Sequence, residues 1–125
     1  MHSSFLVKSL SVTAVLLGLA AGCSTTPKPE LTSEQIMEEG FKGKTSLAAR
    51  LTDNMGTQAD KMRMVYLTQQ LALNKPPKGD MASWTEKTTA LNLAAVALER
   101  NSPDALVTWK AAVDCKKCHT AHKPD

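Results

Sequence analysis

Cys115, Cys118 and His119, in the stretch D-C-K-K-C-H-T-A-H-K at 114–123, are the residues of this chain whose types and spacing could do chemistry. Two thiols three apart, with an imidazole next to the second, can hold zinc, cycle as a dithiol, or carry a haem through two thioether bonds. On a helix turning 100° per residue, positions 115, 118, 119 and 122 share a face roughly 100° wide. Haem attachment needs that arrangement, because both thiols add to vinyl groups on one macrocycle edge while the imidazole points at the iron. C-x-x-C-H is the attachment signature of c-type haem. His119 would be the proximal ligand, its other ring nitrogen donating to a carbonyl or carboxylate that fixes the ring.

The two other chemistries fit less well. A structural zinc site usually recruits four ligands. Here the candidates, with His122 as a conceivable extra, come from consecutive turns of one segment, and there is no second C-x-x-C. A thiol oxidoreductase would place its C-x-x-C near a βαβ pattern and at a helix N-terminus, where the dipole lowers the thiol pKa. This pair lies near the C-terminus of a chain without alternating strand patterns. A zinc or thiol protein without haem is therefore the third reading, behind the two haem readings below. No paired carboxylates or Ser/His/Asp set points to hydrolysis, and the chain reads as a redox carrier, not an enzyme.

The elements that position the motif begin after an export signal. Residues 1–22 carry Lys8 and an apolar run from Leu10 to Ala21, shorter than the about 20 residues of a membrane span. The ending L-A-A-G-C resembles the lipobox of bacterial lipoproteins, which would make Cys23 the lipidated first residue of the mature chain; an ordinary signal with an incidental cysteine is the alternative. That use of Cys23 leaves Cys115 and Cys118 as a lone pair in an oxidising compartment. Residues 23–31, including S-T-T-P-K-P-E, read as the lipidated cysteine and a flexible tether, and 32–125 as one small domain of about 90 residues. Lys and Arg number 15 against 12 Asp and Glu, with both signs interspersed, so nothing resembles the basic stripe that nucleic acid would demand.

Within the domain the sequence predicts helices separated by turn residues. Thr32 or Ser33 caps a first helix through Ile36, Met37 and Phe41, which bends or breaks at Gly40 and Gly43 before a short helical piece through Leu47 and Leu51. Thr57 caps a second, with Met62, Val65, Tyr66, Leu67 and Leu71 on its apolar face. N-K-P-P-K-G-D at 74–80 stops it, and Asp80 or Ser83 caps a third; S-W-T-E at 83–86 has capping-box spacing. Trp84, Thr88, Leu91, Ala95 and Leu98 form that helix's packing seam. Ser102 caps the last helix, with Pro103 at its first position and Asp104 near its positive end. The prediction is all-α, an antiparallel up-down four-helix bundle with C-terminal haem attachment. Aromatic residues make up only 4% of the chain, so the core is thin and a flat cofactor between helices would add apolar volume.

A late C-K-K-C-H-T-A-H-K on the last helix of a small helical domain resembles the class II c-type cytochromes, the cytochrome c′ superfamily. The loop N-K-P-P-K-G-D-M-A-S-W also looks like one found in small bacterial cytochromes. The resemblance implies one covalent haem c on Cys115 and Cys118, with His119 as proximal ligand and Lys123 in the proximal pocket. His122 departs from the family's aromatic residue at that position. A residue of the first helix lies on the distal side in the family, which makes Met37 the candidate sixth ligand; Met55, Met62, Met64 and Met81 compete in principle. Gly40 would let that helix approach the haem, and Phe41 would pack against it; Trp84 and Trp109 read as structural.

With a methionine ligand the protein would be a single-electron carrier. With an open site it would be a five-coordinate haem protein binding NO or CO. The expected setting is the periplasm, with a lipid tether to a membrane, Ser24 favouring the outer one, and periplasmic or membrane redox proteins as partners. The family often dimerises through its first two helices, which makes a homodimer possible although no long apolar stripe marks the face.

Overall fold

The helices begin where the caps are. The computed structural model describes Gly22 and residues 25–125, so Cys23 and most of the signal lie outside the described residues. Thr32 and Gln35 form a reciprocal capping box that starts α1, Ser33–Gly40, and Ser46 caps α2, Leu47–Thr52. Thr57 and Asp60 form a second box opening α3, Gln58–Leu73. Asp80, not Ser83, caps α4, Met81–Glu99, by accepting the Ser83 N–H at 2.8 Å. All regular structure among the described residues is helical.

The predicted last helix is two. α5 spans Ala105–Ala112 and α6 spans Cys115–His122. Ser102 does not cap α5 with its side chain; Asp104 precedes it in the left-handed region, at φ 57°, without a side-chain bond. The break at Val113 and Asp114 follows from Asp114, whose carboxylate accepts the Lys117 N–H at 2.9 Å and restarts the chain as a new helix.

Packing runs between successive elements. α3 and α4 share the largest interface, α5 packs on α4, and α1 and α2 pack on α3. The pair α3–α4 is antiparallel: Gln58 and Lys61 near the start of α3 bond to Glu99 and Asn101 at the end of α4, while Trp84 near the start of α4 donates to the Asn74 carbonyl after α3. α2 also meets α5, where buried Trp109 donates to Thr52 Oγ1 at 3.1 Å. Among the described helices α6 packs only on α4, and α1 and α6 do not meet.

Ile36, Leu51, Met64, Leu67, Leu71, Trp84, Ala94, Ala95, Leu98 and Trp109 form the core, the larger ones contributing about 1.5–3 kcal/mol each by burial. The predicted α4 seam is buried except for half-buried Leu91, whereas Met62 faces solvent and Met64 takes the core position on α3. Gly40 does allow a close approach, but to α3: a Cβ there would lie 2.9 Å from Leu67 Cδ1.

Two ion pairs fasten the N-terminal helices to α3. The Arg63 guanidinium grips the Glu39 carboxylate with two N–H donors, and Arg50 binds Asp60 at 2.7 Å. The hydrogen bond from Arg63 holds Glu39 below its usual value near 4.5; that from Arg50, helped by the Thr57 N–H, holds Asp60 below 3.8. Carboxylates depressed in the fold stabilise it above their ordinary pKa, and that contribution is lost as pH falls through the folded value. Unfolding midpoints measured from pH 6 down to pH 3 should therefore fall, and Glu39→Gln should flatten part of that slope. An unchanged slope would remove the Arg63 pair from the account. Both pairs are solvent-accessible, so the effect is small and screened by salt.

Candidate functional site

Asp114 sets the register of the motif, because its cap makes Cys115 the first residue of α6. Cys115 and His119 are exposed, Cys118 is half-buried, and both thiols are free. The structure thus brings the three predicted groups together on one short helix with an accessible surface. Lys123 follows as an exposed residue capping the end of α6. No side-chain hydrogen bond of His119 is present among the described residues, so the expected carbonyl or carboxylate partner is not in place.

The break in the last helix also changes the argument about dithiol chemistry, because the pair now stands at a helix N-terminus. The two thiols differ in setting. Burial pushes the Cys118 thiol above its usual value near 9.0; Lys87 opposes this, and Cys115 adds to it. Among the described residues no three His, Cys, Asp or Glu side chains form a group that could hold a metal ion.

His122, the departure from the family's aromatic position, is not a surface residue. It is 2% exposed and bonded through both ring nitrogens. Nδ1 lies 2.8 Å from the Lys78 carbonyl and Nε2 lies 3.1 Å from Ser83 Oγ. A carbonyl only accepts, so in the neutral ring Nδ1 carries the proton and Nε2 accepts from the Ser83 hydroxyl. That oxygen in turn accepts from Lys87 Nζ. The ring stands edge-on to Trp84, with centroids 5.3 Å apart at 82°. Gly79 completes the seat: at φ 80° it favours glycine, and a Cβ there would fall 2.6 Å from the Ala121 carbonyl. Lys78, Gly79 and Ser83 carried no sign of this role; the one hint was a histidine at an aromatic position.

Met37 lies half-buried on α1, packed against the core. Among its competitors Met55, Met62 and Met81 are 67%, 59% and 53% exposed, and Met64 is sealed in the core. α1 starts beside Asn74, whose side-chain amide donates to the Leu31 carbonyl, and α6 ends beside Trp84. The two helices therefore flank one end of the domain without meeting, and Met37 and His119 are not brought into contact.

A shallow cleft of about 380 Å³ between α1, α2 and α3 is lined by Glu39, Arg50, Asp60 and Arg63, whose charges satisfy one another. It lies away from the motif and holds no reactive group. Comparison of the chain with protein-family models, curated proteins and solved structures finds no match.

Proposed function

We propose that the protein is a membrane-anchored, periplasmic c-type cytochrome that passes single electrons through one covalent haem. The observation that carries this reading is the open end of the helix ring. α1 and α2 pack on α3, α3 on α4, and α4 on α5 and α6; α2 against α5 closes the ring at one end only. At the other end α1, bearing Met37, and α6, bearing C-x-x-C-H, stand apart. With α1–α2 and α5–α6 each taken as one broken helix, this packing order supports an up-down four-helix arrangement with a gap between its first and last members.

The residues fit the group. Cys115 and Cys118 are free thiols on an accessible helix face, one turn apart, and His119 is beside them and exposed. They would hold the haem by two thioethers and the His119 imidazole, and Met37 would supply a further ligand from α1. The haem, when bound, supplies a one-electron couple whose potential depends on axial ligand, burial and hydrogen bonding. The chain's own part is to fix the imidazole through α6, to fill the gap, and to exclude water with half-buried Met37 and Phe41. The signal and lipobox resemblance support export, and no described helix is long and apolar enough to cross a membrane.

The reduced protein should show a sharp low-spin α band that is lost in Met37→Ala. A high-spin spectrum with ready CO binding in the wild type would replace the carrier reading with that of a gas-binding haem protein.

A further inference from the structure

The root of the tether and the motif helix sit at the same end of the domain. Glu30 is pinned to α3: its N–H donates to Gln70 Oε1 at 2.6 Å, and its carboxylate accepts from the Tyr66 hydroxyl at 2.6 Å. The Leu31 carbonyl accepts from Asn74 Nδ2 at 2.8 Å. Contacts continue from there to the motif, because the Asn74 carbonyl accepts from Trp84 Nε1 at 2.8 Å and the Trp84 ring abuts His122. One loop residue and one indole separate the tether root from the last turn of α6. Residues 25–29 before the root are exposed and without regular structure.

We propose that this end of the molecule is held at the bilayer, so that α6 and the 74–80 loop face lipid headgroups. The inference rests on the anchor half of the proposed function, lipidation of Cys23, and not on the haem. Length decides it. From Cys23 to the pinned Glu30 the chain spans at most about 25 Å when fully extended. Pro27 and Pro29 favour a polyproline-like path of about 20 Å. α4, with 19 residues, is about 28 Å long. Turning the motif away from the membrane would require the tether to double back along most of α3, about 18 Å from Gln70 to Gln58, leaving almost no length to reach the lipid. The electron partner is then a redox protein of the same membrane, approaching along its surface.

Exposed methionines report on both ends. Met81 begins α4 beside the loop, whereas Met55 and Met62 lie at the opposite end, where α3 starts beside the close of α4. The full lipidated chain, with its acyl mass verified, would be placed in phosphatidylethanolamine–phosphatidylglycerol vesicles and in detergent. Each sample would then be footprinted with hydroxyl radicals and read by mass spectrometry. Met81 oxidation should fall several-fold in vesicles relative to Met55 and Met62. A flexible insert of about 20 Gly and Ser residues between Pro29 and Glu30 should abolish that protection. Equal oxidation at both ends, protection of Met55 and Met62 instead, or protection that survives the insert would overturn the proposal, as would a mature chain without acyl mass. Absence of haem in the same mass spectrum would sink the cytochrome reading and leave the orientation standing.

Discussion

A chain carrying Cys115→Ala and Cys118→Ala together is expected to reach the periplasm folded but with no covalent haem. The argument separates fold from cofactor. Cys115 is exposed and Cys118 only half-buried, and neither thiol is among the core side chains. Alanine at both sites keeps helix propensity and should change the stability of the polypeptide by no more than about 1 kcal/mol. Attachment chemistry has no such tolerance, because each thioether needs its own sulfur. Either single variant should keep one bond and a haem that resists acid extraction; the double variant should release all haem into acid–acetone. Intact mass, a haem stain after denaturing electrophoresis and far-ultraviolet circular dichroism read the three quantities independently. A wild-type chain with polypeptide mass alone, or a double variant that still stains, would refute the assignment.

The sequence made most of α1 to α4 legible because their ends are chemically marked. Thr32, Thr57 and Asp80 each sit before a periodic apolar run, and Pro76, Pro77 and Gly79 stop α3 from joining α4. The C-terminal third was harder. Asp114 reads as one more charged residue in a helical stretch, and only the bond its carboxylate accepts from the Lys117 N–H makes it a cap. The helical spacing of 115–122 holds, since all eight residues lie within α6. Met62 against Met64 is a plainer miss: both fit an amphipathic pattern, and the direction of α3 against α1 decides which is buried. The seat of His122 was beyond reading, because it joins residues about 40 positions apart through a backbone carbonyl, a glycine and a hydroxyl.

That seat leads to the other large expected effect. Among the described helices α6 neighbours only α4, and its last turn is fastened by His122, with an exposed Lys78–Asp125 pair beyond. His122→Ala removes two hydrogen bonds and the edge contact with Trp84, and leaves a hole under Gly79. A loss of about 2–3 kcal/mol is expected, a large share of the 5–15 kcal/mol typical of a domain. Because the damage is confined to the α4–α6 joint, amide exchange should quicken first in α6, before α3 or α4. His122→Phe supplies the aromatic residue of the class II cytochromes and refills the space beside Trp84. It cannot donate to the Lys78 carbonyl or accept from Ser83, so it should fall between alanine and the wild type. His122→Asn keeps a donor for Lys78 but little of the ring. If phenylalanine matches the wild type in unfolding midpoint and in α6 exchange, packing alone holds the helix. If both polar and aromatic halves are needed, histidine is there because this loop presents a carbonyl and a hydroxyl to its two nitrogens. In the haem-loaded chain the same variants should then shift the spectrum and potential through His119, three residues away on the helix that His122 fixes.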